Sequence, residues 1–363
     1  MTQKLRPVAR AEAFAARLGI RLPILLAPMA GACPTSLSIA VASAGGLGAC
    51  GALLMKPEEI TAWCAEFRQQ SKGDFQINLW IPEKEIRRDA EQERKQRDFL
   101  VAWGPTVDPA AGESVLPDFE AQFGAMIEAK PKVISSIMGL YSERHVAAMK
   151  ERGMLWFATA TTAEEARVAE QAGADAIFAQ GMEAGGHRGA FDANLAERQL
   201  VGLFALVPQI VDAVTIPVVA TGGIADARGI AATLMLGASA VMIGTGFLRC
   251  PEAKTPAAYA DRIATTEAHQ TMLTRAFTGR AGRAIANVYT RAAGEPDVPP
   301  PASYPIQRGF TAAMRDEARK SGDADRMQMW AGQAARLATQ EPAGMLTQRL
   351  WAEATNLLRG DHT

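Results

Sequence analysis

The sequence predicts an α/β protein, a closed (β/α)8 barrel with an insertion between strands three and four and a C-terminal helical extension. Three observations carry this prediction. Eight short apolar runs alternate with helix-period segments, the pattern of repeated βα units. Three internal echoes, Ser43-Ala44-Gly45-Gly46-Leu47-Gly48, Gln171-Ala172-Gly173-Ala174-Asp175-Ala176 and Met235-Leu236-Gly237-Ala238-Ser239-Ala240, each read as a helix end, a glycine cap and entry into an apolar strand. The length of 363 residues holds the ~250 of such a barrel and leaves room for both additions.

The eight runs are Pro23–Met29, Leu47–Leu53, Phe75–Trp80, Val133–Met138, Leu155–Ala160, Ala176–Gln180, Pro217–Thr221 and Ala240–Thr245. Leu22 to Met55 carries no charge, but Pro23, Pro28, Pro34 and the cluster Gly45, Gly46, Gly48 and Gly51 would break a membrane helix. Strand, loop, buried helix and strand explain it, because a parallel sheet covered on both faces needs strands that are apolar throughout. Thr161-Thr162-Ala163-Glu164-Glu165 places a capping hydroxyl and first-turn acids directly after the fifth strand. Residues 82–130, charged from Glu83 to Asp98 and broken at Gly104-Pro105, are expected to be the insertion. The barrel is expected over residues 1–250. Residues 251–363 are expected to be mainly helical, with a proline-rich joint from Pro296 to Pro305 and final helices near Asp323–Thr339 and Ala343–Arg359 that pack on the barrel or cover its mouth.

Composition narrows the function. A formal charge of −1, from 38 basic and 39 acidic residues, gives no net pull toward nucleic acid or an anionic membrane. Arg17 and Arg21 interrupt the stretch where a secretory apolar region would lie, and Cys33, Cys50, Cys64 and Cys250 form no CxxC pair. A cytoplasmic location, buried thiols and no metal site are expected. The histidines are His145, His187, His269 and His362, so candidates for a neutral-pH acid or base are few.

Gly46-Leu47-Gly48-Ala49-Cys50-Gly51 matches GxGxxG, but a helix precedes it and a strand follows, the reverse of a dinucleotide fingerprint. A tight turn is expected there. Thr221-Gly222-Gly223-Ile224 after strand seven and Gly244-Thr245-Gly246 after strand eight stand where barrels bind phosphate with bare backbone N–H groups; the plainer alternative is that these glycines only permit turns. His187 lies in Gln180-Gly181-Met182-Glu183-Ala184-Gly185-Gly186-His187-Arg188-Gly189 after strand six, at the catalytic face, where neighbouring glycines would let a flat ligand approach the backbone. Of the four histidines it alone holds such a position, although a solvated loop histidine would share the pattern. Asn78 puts an amide at the end of strand three, suited either to reading a heterocycle edge or to capping a turn. Ala27-Pro28-Met29-Ala30-Gly31 ends strand one with no titratable side chain. Met154, Trp156 and Phe157 read as apolar wall.

With these passages in hand, the chain resembles the nitronate monooxygenases, FMN-dependent TIM-barrel enzymes. The resemblance rests on Ala27-Pro28-Met29, Gln76-Ile77-Asn78-Leu79, the Glu183–Gly189 passage, Thr221–Ile224, Gly237–Thr245 and Trp330-Ala331-Gly332-Gln333, which is similar to the family's C-terminal helix. It implies that Ala27, Pro28, Met29, Asn78, Gln180, Gly185, Gly186, Gly222, Gly223, Met242, Ile243, Gly244 and Thr245 contact FMN, and that His187 is the catalytic base. An imidazole near its ordinary pKa suits removal of a nitroalkane α-proton. The implied reaction oxidises alkyl nitronates such as propionate 3-nitronate, or nitroalkanes, with O2 to a carbonyl compound and nitrite. A homodimer stays open. The chain departs from the family at Ile137-Met138, where some members carry histidine, and at Arg308 and Ala312, where a tyrosine and a lysine are expected. The competing readings are a related FMN-dependent NAD(P)H oxidoreductase acting on a quinone or enoyl thioester, a flavin-free phosphate-sugar isomerase or aldolase, and a non-catalytic flavin-binding protein. No lysine at a predicted strand end is placed to form an aldolase Schiff base.

Overall fold

In the computed structural model, residues 6–83, 85–113 and 115–360 are described. The strands are β1 (Ile24–Leu26), β2 (Gly48–Gly51), β3 (Phe75–Trp80), β4 (Val133–Ile137), β5 (Leu155–Ala160), β6 (Ala176–Gln180), β7 (Gly186–His187), β8 (Val218–Thr221), β9 (Ala240–Ile243), β10 (Thr271–Thr274) and β11 (Gly282–Ile285). The helices are α1 (Pro7–Leu18), α2 (Thr35–Ser43), α3 (Pro57–Gln70), α4 (Ala90–Leu100), α5 (Phe119–Ala129), α6 (Glu143–Glu151), α7 (Ala163–Gln171), α8 (Leu203–Ala213), α9 (Ala227–Met235), α10 (Ala257–Thr265), α11 (Val288–Ala292), α12 (Ile306–Phe310), α13 (Ala312–Ser321) and α14 (Ala343–Arg359).

Eight of the strands form one parallel sheet in the order β1-β9-β8-β6-β5-β4-β3-β2, and a parallel bridge from Leu25 to Leu47 closes it into a TIM barrel. All eight expected strands are present. The first is shorter than its apolar run because Pro28 has no N–H for a ladder. The Gly46–Gly51 passage is the tight turn and strand expected: a Cβ on Gly46 would lie 2.6 Å from the Ile24 carbonyl oxygen, so only glycine allows the closing strands this close. Thr162 caps α7 through the Glu165 amide at 3.1 Å.

Two apolar layers follow from strand alternation. Outward residues such as Ile24, Ile77, Ile134, Ile177 and Ile243 pack against the helices. Inside, Leu25, Leu47, Val133, Phe157, Phe178 and Val219 fill the lower barrel, and α1 adds Phe14, Ala15 and Leu18 to the same cluster. The Phe157 ring lies 6.1 Å from that of Phe14 and 5.5 Å from that of Phe178. The upper half is left free for a cavity. Cys33, Cys50, Cys64 and Cys250 are buried free thiols.

The additions differ from expectation in three places. The inserted segment ends near residue 118: α5 packs on α3 and is itself the barrel helix between β3 and β4. The segment after 250 is not simply helical, because β10 and β11 pair antiparallel and β11 also pairs with β7. The helix expected near Asp323–Thr339 is instead a run of turns with a short 3-10 turn at Ala335–Leu337, and Trp330 makes an isolated bridge to Ala284, so the Trp330–Gln333 passage is not helical. Its alternating Met327, Met329 and Ala331 are buried under tertiary contacts that override helical period. The inserted α4 and the C-terminal segment share a cluster of Leu100, Phe277, Tyr289, Ile306 and Phe310. Gln92 donates to the Pro301 carbonyl at 2.8 Å, tying the proline-rich joint to α4. Among the described residues no helix is long and apolar enough to cross a membrane. His362 lies outside the described residues.

Phe157→Ala is expected to cost about 3–5 kcal/mol of stability, as for other large-to-small changes in a packed core. Denaturant unfolding measures it; a loss below about 1 kcal/mol would mean that the lower barrel is not the packed layer described.

Candidate active site

At the C-terminal ends of the barrel strands lies a cavity of about 510 Å³, within the range that holds small ligands and cofactors. Its lining includes Ala27, Pro28, Met29, Asn78, Gln180, Gly185, Gly186, Gly222, Gly223, Met242, Gly244 and Thr245, so twelve of the thirteen expected binding residues meet there, together with His187. The exception is Ile243. Strand alternation turns Met242 inward and Ile243 outward, into the core between strand and helices.

The floor of the cavity is polar and connected. Asn78 Nδ2 donates to Ser135 Oγ at 3.1 Å, Ser135 Oγ donates to Gln76 Oε1 at 3.1 Å, and Gln76 Nε2 donates to the Leu26 carbonyl at 2.9 Å. This orients the Asn78 amide. Gln180 has a different task from the expected one: its Nε2 donates to the His187 carbonyl at 3.1 Å, and its Oε1 accepts from the Gly189 amide at 2.8 Å and Arg188 Nη1 at 3.2 Å. Its amide therefore shapes the loop that carries His187.

That loop is held from several sides. Gly186 and His187 are strand β7, paired with Arg283 and Gly282 of β11. Glu183 accepts the Leu203 amide at 2.9 Å, a carboxylate on the N-terminus of α8. Arg188, 1% exposed, donates to the Gly181 carbonyl at 2.8 Å. The Gln333 amide donates to the Glu183 carbonyl at 2.9 Å, and the Gly332 amide to Thr245 Oγ1 at 3.0 Å. Gly185 has no room for a side chain: a Cβ there would lie 2.5 Å from the Gly332 nitrogen. Gly186, at φ +77°, faces open space, so a Cβ there would project into the cavity without meeting protein.

Gly222 and Gly223 follow β8 at φ +113° and +67°, and beside them Gly244-Thr245 begins a short 3-10 turn. Among the described residues, neither Gly222 nor Gly223 gives its N–H to a backbone carbonyl. Bare amides after the last two barrel strands suit a phosphate.

Around His187 stand residues that sequence reasoning missed as site residues. Its ring lies 4.7 Å from those of both Trp80 and Trp330. Trp80 ends β3 and Trp330 lies in the Trp330–Gln333 passage, so both had a signal; Thr278, in the turn between β10 and β11, had none. His187 Nε2 is 2.9 Å from Thr278 Oγ1, and Thr278 Oγ1 donates to the Arg280 carbonyl at 3.2 Å. With that hydroxyl proton engaged, the pattern assigns the His187 proton to Nε2 and the free lone pair to Nδ1. One side of the imidazole meets the cavity and the rest is enclosed. Burial, then Arg280 and Arg308, push its pKa from 6.5 down to about 3, which corrects the expectation of an ordinary imidazole pKa. Arg280 is itself paired with Glu83. Tyr304, near Trp80, lines the same cavity, and burial pushes its phenol up to about 12.

The fold and cavity define an α/β-barrel enzyme that handles a small ligand at its strand ends. The family model for nitronate monooxygenase matches residues 12–353, and the chain belongs to the nitronate monooxygenase family of oxidoreductases. It is 37% identical over 343 residues to a nitronate monooxygenase of Paraburkholderia phytofirmans, covering 93% of each chain. A solved nitroalkane oxidase from Streptomyces ansochromogenes is 34% identical at a TM-score of 0.87, covering 95% of this chain and 99% of that one. FabK from Thermotoga maritima is 27% identical at a TM-score of 0.71, covering 96% and 97%.

Two measurements follow. The His187 ring should titrate with a midpoint near 3 and stay neutral from pH 5 to 8, read by NMR of histidine-labelled protein; a midpoint near 6.5 would contradict the enclosure described. Between these values the unfolded chain binds the extra proton and the folded one does not, so this residue withdraws stability as pH falls from 6.5 toward 3. Separately, Gly185→Ala should push the Gly332 backbone off the loop and lower turnover by about 10- to 100-fold, the scale of an ångström-level misplacement. Wild-type turnover in that variant would show that the close approach is unimportant.

Proposed function

We propose that this protein catalyses FMN-dependent oxidation of alkyl nitronates and nitroalkanes by O2 to a carbonyl compound and nitrite, with His187 as general base. The observation that supports it most is His187 itself: a neutral imidazole fixed between Trp80 and Trp330 at the edge of a cavity whose lining matches a flavin's needs. The fit to FMN rests on the cavity volume, the open space above Gly186 and the uncommitted amides of Gly222 and Gly223. Those glycines with Gly244 and Thr245 would hold the phosphate, and Ala27–Met29 with Asn78 would bound the ring system. Bound FMN supplies the electron acceptor and the route to O2.

The chain's own residues handle the proton. His187 keeps Nε2–H on Thr278, so Nδ1 accepts the α-proton of a neutral nitroalkane. A preformed nitronate has already lost that proton and needs only placement. The two tryptophans wall the imidazole and exclude water. The second reading, an FMN-dependent NAD(P)H oxidoreductase acting on a quinone or enoyl thioester, draws on the likeness to FabK.

Nitrite release under steady state separates the roles. His187→Asn should lose about 10²- to 10⁴-fold on a neutral nitroalkane, the usual share of general base catalysis, and far less on the matching nitronate. Equal losses on both would remove the base role. Rapid NADH oxidation by the wild type without nitrite from nitronate would favour the second reading, and protein that takes up no FMN on reconstitution would exclude both.

A further inference from the structure

We propose that Arg308 and Tyr304 form a clamp for a planar two-oxygen anion carried by the substrate. The inference rests on the reading above for the identity of that substrate. The clamp itself stands on geometry.

Arg308 sits on the short helix α12, half-buried, and lines the cavity that holds His187. Among the described residues its guanidinium has no hydrogen-bond or ion-pair partner, although its main-chain oxygen accepts from Arg315 Nη2 at 2.9 Å, which pins α12 in place. The neighbouring cations are committed elsewhere. Arg280 pairs with Glu83 and donates to the Ala190 carbonyl at 3.1 Å, while Arg315 donates to Thr311 Oγ1 and to Gln328 Oε1, both at 3.1 Å. One turn before Arg308, the Tyr304 hydroxyl is buried and has no hydrogen-bond partner. An unmade bond at a buried hydroxyl costs about 1–3 kcal/mol, so two unpartnered donors facing one cavity define a site for an acceptor.

The charge of that acceptor follows from the lining. It holds four fixed cations, Lys254, Arg308, Arg315 and Arg319, against one carboxylate, Asp316. A cavity biased this way draws anions. A guanidinium fork matches two coplanar oxygens, the geometry shared by a nitronate and a carboxylate. The clamp also lies within reach of the reacting end: the Trp80 ring stands 4.7 Å from the His187 ring and 5.4 Å from that of Tyr304. The two-oxygen group is therefore either the reacting nitronate or a carboxylate a short carbon chain away. A cation there also offsets the low basicity of His187, because the charge that disfavours an imidazolium stabilises the anion left by proton removal.

The test compares the wild type with Arg308→Gln and Arg308→Lys on propyl nitronate and on the nitronate of 3-nitropropionate, with nitrate and propionate binding followed by calorimetry on FMN-loaded protein. Arg308→Gln should raise KM or the dissociation constant about 10- to 100-fold, the scale of a charge-assisted hydrogen bond, and Arg308→Lys should recover part of it. Loss on both substrates and on nitrate assigns the clamp to the nitronate. Loss confined to 3-nitropropionate nitronate and propionate assigns it to a distal carboxylate. Unchanged KM values and unchanged anion binding in a folded Arg308→Gln overturn the proposal. Arg308-dependent anion binding in a wild type that oxidises neither nitronate would keep the clamp and refute the proposed function.

Discussion

The site depends on one backbone pairing, that of Gly186-His187 with Gly282-Arg283. A loop after a barrel strand is ordinarily free to move, and a base on such a loop would have no fixed orientation. Here the loop becomes the edge of a three-stranded antiparallel sheet whose other strands come from the C-terminal segment. The same pairing brings Thr278 to the imidazole and Trp330 to its face. A barrel without that segment would still close, because the Leu25–Leu47 bridge and the parallel ladders do not involve it. It would lack a positioned His187.

Much of this was legible in the sequence because barrel physics is periodic. Apolar runs, glycine caps and hydroxyl caps gave the eight strands, and the strand-end rule put His187, Asn78 and the glycine loops on one face. What escaped was long-range. Arg283 and Gly282 carry no local sign that they pair with a loop about ninety-five residues earlier. Met327 to Ala331 has helix-forming residues in a segment that packs as turns. Ile243 was grouped with its neighbours by motif, whereas the two-residue period of a strand turns it away from the cavity. The passages Glu183–Gly189 and Trp330–Gln333 were both recognised, but their mutual contact, Gly185 against Gly332, is visible only in three dimensions.

Buried charge explains why the loop needs so many supports. Arg188 is 1% exposed with its pKa pushed down to about 10 by desolvation, and Arg283 is 6% exposed. Guanidinium groups this deep are costly unless bonded. They bond to loop carbonyls: Arg188 to Gly181 at 2.8 Å and Arg283 to Met182 at 2.9 Å. Each cation thus fixes the backbone just ahead of His187, and Glu183 between them contributes the nearby opposite charge.

These cations also set the character of the imidazole. Burial and positive neighbours keep His187 neutral far below its ordinary pKa, so it is available as a proton acceptor but is a weak one. A weak base removes a carbon-bound proton efficiently only where the carbanion's charge is delocalised onto oxygens and those oxygens meet positive charge. A nitro group satisfies the first condition and the cationic lining the second. An isolated ketone or alcohol would satisfy neither as well, so the depressed pKa favours strongly acidified carbon acids. The cavity's electrostatics and the family's chemistry thus point to one substrate type by separate routes.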